Sequence, residues 1–267
     1  MQPSGTREPS DATAPGHDVD ERAGERRVPS GPVLWIGYAG TVLGLLVVQR
    51  VVSDVGDAAA RAVDTSSVDP GGWWAPVSVH HVVQGLLALG LLLALARWLR
   101  LDVGLRVGDA RAGWRAVGVV GAALVVYLAG YHLLAALLDL APAVAVPPDD
   151  ARAGYLGFQL LLSGPSEELL FRALPVAVLA ALRPVTLVTV ARRWPVSLET
   201  VVGAALFAVA HVAVVGGTLV ADPSQLAYAF VLGTVQGVVF QRTRSVLYPM
   251  AIHSLSNVLV TFAAVAS

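Results

Sequence analysis

Apolar residues fall in long runs separated by short polar connections, at about Val33–Val52, Val77–Ala96, Val117–Leu138, Tyr155–Leu182, Val201–Val220, Gln225–Phe240 and Val246–Ala266. Most runs reach the ~20 residues a helix needs to cross a bilayer, so the pattern predicts an all-α fold, a polytopic membrane helical bundle of about seven transmembrane helices. The sixth run is short, and Gly233 and Gly237 at i, i+4 predict the close helix packing that accommodates it. Ahead of the first run, residues 1–30 mix Pro, Ser, Gly and charges with no apolar period, which predicts a disordered tail. The first apolar run is too long for the core of a signal peptide.

The connections alternate in charge. Arg97 to Arg115 carries five Arg and two Asp, Arg183 to Glu199 three Arg and one Glu, and Arg242 and Arg244 stand without an acid. Between them, Ser53 to Pro76 holds four Asp and one Arg, Asp139 to Arg152 three Asp and one Arg, and Gly216 to Ser224 only Asp222. The positive-inside rule then places the N-terminus in the cytoplasm. Trp73, Trp74, Trp98, Trp114 and Tyr248 lie near run ends, as an aromatic belt does. His80 and His81 sit beside that belt and read as interfacial polar residues; His132, next to Tyr131, reads as a helix-to-helix hydrogen-bonding group. Arg183 to Pro195 reads as a short amphipathic piece along the inner membrane surface.

Composition agrees with a membrane protein. The 267 residues are 55% hydrophobic and 14% charged, with a mean hydropathy of +0.67, against ~25% charged residues in ordinary soluble domains. A net charge of −1 gives no reason to expect a nucleic-acid partner. Cysteine is absent, which excludes disulfides, thiolate metal sites and a cysteine nucleophile.

Against this background a few polar residues stand out. Glu167, Glu168 and Arg172 are the only charged residues between Arg152 and Arg183, inside a run where each charge costs roughly 2.5 kcal/mol or more. If the helix restarts at Pro165, Glu168 and Arg172 pair at i, i+4, which leaves Glu167 free for chemistry. His211 lies near the middle of an uncharged run, four residues after Phe207. His253 and Asn257 share a face of the last run, after which no charge follows Arg244. Counting along the runs brings all of them together in the inner half of the bilayer. A carboxylate held by one imidazole can take a proton from water, and a second imidazole with an amide can donate to the oxyanion that forms, so the set fits amide hydrolysis. Glu167, His211 and His253 are also a zinc ligand set with an open position for water, and the spacing leaves both routes open.

Glu167-Glu168-x-x-x-Arg172, Phe207-x-x-x-His211 and His253-x-x-x-Asn257, with Phe230-x-x-Gly233-x-x-x-Gly237 and Pro249 between, resemble the CPBP family of intramembrane endopeptidases, also called the Abi or type II CAAX prenyl endopeptidase family. The resemblance runs over Tyr155 to Asn257. It implies that 31–150 form N-terminal transmembrane helices and 151–267 a catalytic core. It further implies that Glu167 is the general base, that His211 positions the water, that His253 and Asn257 stabilise the oxyanion, and that Glu168, Arg172 and Phe207 are structural or orient substrate. The implied substrate is a membrane-anchored or lipidated peptide or protein, cut near the cytoplasmic side of the bilayer, with no cofactor required or a single divalent metal such as zinc.

Competing motifs are missing: there is no His-Glu-x-x-His and no Gly-x-Ser-x-Gly. The alternative function is a non-proteolytic membrane scaffold or bacteriocin-immunity-type protein that uses the same cavity for binding. A transporter would also need intramembrane Glu and His, but it should show broken helices in both halves, and only Ser163-Gly-Pro-Ser166 suggests one.

Overall fold

The computed structural model describes residues 31–138, 146–192, 194–215 and 218–266; the expected tail at 1–30 lies outside the described residues. Seven helices make up the bundle among the described residues. They are α1 (Pro32–Ala62), α2 (Ala75–Trp98), α3 (Ala110–Leu137), α4 (149–182), α5 (Leu198–Ala210), α6 (Pro223–Thr243) and α7 (Leu247–Ala266). Four of them, α1, α2, α3 and α7, are long and apolar enough to cross a membrane by length and composition. The chain is a helical membrane bundle, as the apolar runs predict.

Polar caps mark where helices begin. Asp69 accepts hydrogen bonds from the backbone N–H groups of Trp74 and Ala75, at 2.6 and 2.8 Å, and so fixes the start of α2. Asp109 accepts from Ala112 N at 3.0 Å at the start of α3, and Ser197 from Thr200 N at 3.2 Å at the start of α5. Such caps satisfy N–H groups that have no partner inside the helix. The Ala112 N–H, helped by Arg242, also holds the Asp109 carboxyl below the usual carboxylate range.

The connections sort into two ends. Arg183 places its guanidinium 4.5 Å over the Trp35 ring near the start of α1. Asp109 meets Arg242 at 3.2 Å, and Gln241 donates to Ser197 and Glu199 at 2.7 and 3.1 Å. Residues 97–110, 183–199 and 241–246 therefore gather at one end. The opposite end carries 63–74 and the start of α4, where the Trp74 indole lies against Gly154.

Two segments depart from the expected helices. The predicted span Val201–Val220 ends early: α5 stops at Ala210, and a hairpin of β3 (Ala213–Val215) and β4 (Thr218–Val220) follows. β-Branched residues on both sides of Gly216-Gly217 favour a hairpin, which hydropathy alone cannot tell from a helix. Likewise Arg183 to Pro195, read as a short amphipathic piece, holds most of an antiparallel hairpin, β1 (Thr186–Val190) paired with β2 (Trp194–Ser197), in which all five residues of β1, Thr-Leu-Val-Thr-Val, are exposed.

Nor does α4 restart at Pro165. The chain stays helical from 149 to 182, with backbone angles in the right-handed helical region at each junction. Two π-helical stretches, Gln159–Ser163 and Leu169–Ala173, flank Gly164–Glu168. These widened turns take up the proline, whose missing N–H falls where the helical hydrogen-bond register changes.

Gly233 and Gly237 bring α6 against α5, as their spacing predicts. A Cβ at Gly237 would lie 2.6 Å from Thr200 Cγ2, and one at Gly233 would meet Ala204 at 3.3 Å. We expect Gly237→Val to force the two helices apart and cost about 1–3 kcal/mol, the usual range for overpacking. A lowered unfolding midpoint of the detergent-solubilised protein checks this.

Candidate active site

The two π stretches of α4 present Glu167 and Glu168, neighbours in sequence, to different surroundings. Glu168 and Arg172 are both fully buried, and Arg172 donates to the Glu168 carboxylate at 3.1 Å from Nε and 3.3 Å from Nη2. Nη2 also donates to Gln236 Oε1 at 3.2 Å, and the guanidinium sits 5.3 Å from the centre of the Phe207 ring. The expected i, i+4 pair is present.

Close approach of α7 completes this network. A Cβ at Gly164 would lie 2.7 Å from Ser254 Oγ and 2.9 Å from its backbone N, so only glycine lets the helices come this near. His253 Nδ1 is thereby 2.9 Å from Glu168 Oε1. Because Glu168 is already ion-paired with Arg172, the contact is a donation from His253. Its other nitrogen, Nε2, lies 3.5 Å from Glu167 Oε2. The imidazole spans both carboxylates.

Glu167 is not free. His81 Nε2 stands 2.9 Å from Glu167 Oε1, while His81 Nδ1 lies 2.8 Å from the Val77 carbonyl. A carbonyl only accepts, so Nδ1 carries a proton, and one further proton lies between Nε2 and Oε1. Ser163 Oγ donates to Glu167 Oε1 at 3.4 Å and accepts from Asn257 Nδ2 at 3.0 Å, which ties the amide to the same carboxylate. His80 continues the polar set, with Nδ1 2.7 Å from Asp57 and Nε2 3.2 Å from Gln84 Oε1.

A cavity of about 570 Å³ opens beside Glu167, lined by His81, His211, Phe207, Gln84, Asp57 and other residues of α1, α2, α4 and α5. His211 Nδ1 donates to the Phe207 carbonyl at 2.9 Å, which leaves the Nε2 lone pair as an acceptor. Phe207 stands edge-on to both His211 and His253, with ring centres 4.8 and 5.6 Å apart. His253 and Asn257 reach Glu167 from the α7 side and are not part of the cavity lining. Among the described residues no three His, Cys, Asp or Glu side chains are arranged to hold a metal ion.

Residues 151–259 match the model of a known family, described as Type II CAAX prenyl endopeptidase Rce1-like. This is the family that the motifs resemble. The Rce1-like match supports a membrane-embedded protease of the CAAX type at the level of the family. No curated protein and no solved structure matches the chain.

The Rce1-like segment holds every candidate residue that the motifs supplied, and the structure brings them all around Glu167. His81 lies outside that segment, and sequence reasoning passed over it. Its place beside Trp73 and Trp74 made it look interfacial; the missed signal was His80, His81 and Gln84 in one turn of an otherwise apolar helix. His132, read as a helix-to-helix hydrogen-bonding group, stands edge-on to its neighbour Tyr131, with ring centres 5.5 Å apart.

Removing Arg172 would leave Glu168 charged and buried. Arg172→Met alone should cost about 3–5 kcal/mol of stability, whereas Glu168→Gln combined with Arg172→Met should cost less than that single change. Unfolding midpoints of the two proteins in detergent check the order.

Proposed function

We propose that this protein is an intramembrane endopeptidase in which Glu167 activates the attacking water. The observation that carries the reading is the Glu167 carboxylate in the cavity wall, with one oxygen facing His81 Nε2 and the other His253 Nε2. A water between Glu167 and the free Nε2 of His211 would donate one proton to each acceptor. Glu167 takes a proton as the water oxygen bonds to the peptide carbon. The Glu167 carboxyl then returns that proton to the leaving nitrogen as the C–N bond breaks.

His253 is suited to the oxyanion. Flanked by two carboxylates, His253 as an imidazolium carries a proton on Nε2 as well as on Nδ1, and at 3.5 Å from Glu167 that Nε2–H lies beyond a good hydrogen bond and turns to a new acceptor. Asn257 spends one amide proton on Ser163 and has a second. Glu168, Arg172 and Phe207 hold His253 and His211 in place without touching the reacting atoms. The substrate is a polypeptide already at the membrane, since the cavity is walled by bundle helices.

The test is cleavage of membrane-anchored peptides, prenylated and not, by the purified protein in lipid. Glu167→Gln should lower cleavage by about 10²–10⁴-fold, the typical worth of a positioned acid–base group, with a chelator leaving the wild-type rate unchanged. Cleavage that persists in Glu167→Gln would sink the proposal, and no cleavage by either protein would favour a scaffold. Chelator-sensitive cleavage would assign a metal to Glu167, His211 and His253 instead.

His81 acts through Glu167 as a positioning residue. His81→Gln should lower kcat roughly ten- to a hundred-fold with little change in KM, and should shift the acid limb of the pH–rate profile, because the shared proton loses its imidazole partner. An unchanged pH profile with a uniformly lower rate would mark His81 as merely structural.

A further inference from the structure

A helical segment is a poor target for the water beside Glu167. Its carbonyls point along the helix axis into hydrogen bonds, and its side chains cover the backbone. A segment that is to be cut must be drawn out, and an extended backbone carries N–H and C=O groups that lipid does not satisfy. Partners for those groups have to come from the bundle. Side chains of the cavity wall are poor candidates, since Asp57, His80 and Gln84 are already bonded to one another and His81 to Glu167.

The hairpin after α5 offers backbone instead. β3 starts two residues beyond His211, and Val212 and Leu219 line the same cavity as His211 and Glu167. Among the described residues β3 and β4 form a sheet of two strands only, so the outer edge of each is open. Leu219 is 73% exposed and Val220 50%. An open edge of this kind is a template for a further strand.

Register decides which backbone groups face outward. Val215 pairs with Thr218, Val214 with Leu219 and Ala213 with Val220. Only two residues separate the strands, so the pair that closes the hairpin, Val215 with Thr218, is the hydrogen-bonded one. Hydrogen-bonded and non-hydrogen-bonded pairs alternate along an antiparallel ladder, which leaves Val214 and Leu219 opposite each other without bonds. The N–H and C=O of Leu219 therefore point away from β3, and those of Val214 away from β4. Among the described residues no backbone group outside the hairpin bonds to Leu219. The β4 residue that lines the cavity is thus the one with a free donor and a free acceptor.

We propose, resting on the endopeptidase reading above, that the substrate polypeptide binds as a third strand on the outer edge of β4 and exchanges two backbone hydrogen bonds with Leu219. Strand addition draws affinity from the main chain and selectivity from alternate side chains. Directly opposed residues share a face of the sheet. The substrate residue opposite Leu219 accordingly presents its side chain to the cavity, and its two neighbours turn away. The cavity that Leu219 shares with His211 and Glu167 receives a backbone that is already extended and already paired.

The test is cleavage of one membrane-anchored peptide by the purified full chain in lipid. Leu219→Pro removes the outward N–H while the strand stays extended, as proline allows on an edge, whereas Leu219→Ala removes the side chain and keeps the N–H. The expected kcat/KM of Leu219→Pro is about three- to tenfold below that of Leu219→Ala, the worth of one backbone hydrogen bond. Val214→Pro makes the same change on the opposite edge and should stay near the wild-type value. Equal rates for the Pro and Ala variants at 219 overturn the proposal. So does an equal loss in Val214→Pro, which marks a general disturbance of the hairpin, and so does a wild-type dimer that Leu219→Pro dissociates, which gives the edge to a second copy. The endopeptidase reading fails separately, through cleavage that persists in Glu167→Gln or no cleavage by wild type. Pairing is then read by infrared spectroscopy from the same peptide, with isotope-labelled carbonyls, bound to the two variants at 219. An extended-strand band with Leu219→Ala that is lost with Leu219→Pro keeps β4 as a peptide-binding edge, and the same helical band with both overturns it.

Discussion

The fully buried Glu168–Arg172 pair is the interaction on which the other contacts of the site depend. Two opposite charges deep in an apolar bundle persist only when every donor and acceptor finds a partner. That requirement recruits Gln236 from α6 and the Phe207 ring from α5 to the Arg172 guanidinium, and His253 from α7 to the Glu168 carboxylate, both on α4. Four helices are fixed relative to one another by satisfying one ion pair. The arrangement also separates two tasks: Glu168 is saturated and holds the frame, and Glu167, just before it in sequence, faces the cavity.

The backbone makes that separation feasible. Adjacent residues on a regular helix point about 100° apart, which would set Glu167 and Glu168 on neighbouring faces but would not bring α7 and α2 close to both. The π stretches widen α4 on either side of Gly164–Glu168, and α2 packs close to Ser166 where a Cβ at Gly85 would lie 3.2 Å from the Ser166 Cβ. Widened turns of this kind often occur at functional sites, where they re-aim side chains that a regular helix would hide.

Much of this was legible in the sequence, and the misses have physical causes. A lone carboxylate or imidazole in an apolar run is costly enough to need a purpose, which is why Glu167, His211 and His253 could be picked out without a structure. The Glu168–Arg172 pair and the Gly233–Gly237 contact follow from helical spacing alone. The hairpin at 213–220 was hidden because valine is as apolar in a strand as in a helix.

His81 was missed for a further reason. The Rce1-like match covers 151–259 and thus one side of the cavity, with Glu167, Phe207 and His211. The other side is α1 and α2, which supply Leu46, Gln49, Ser53, His80, His81 and Gln84. A family pattern records the groups that perform a reaction shared by its members, whereas a polypeptide must be selected by the surface it lies against on its way to them. In this bundle about half of the cavity wall belongs to helices outside the match. The His81–Glu167 contact is where the two parts of the chain meet.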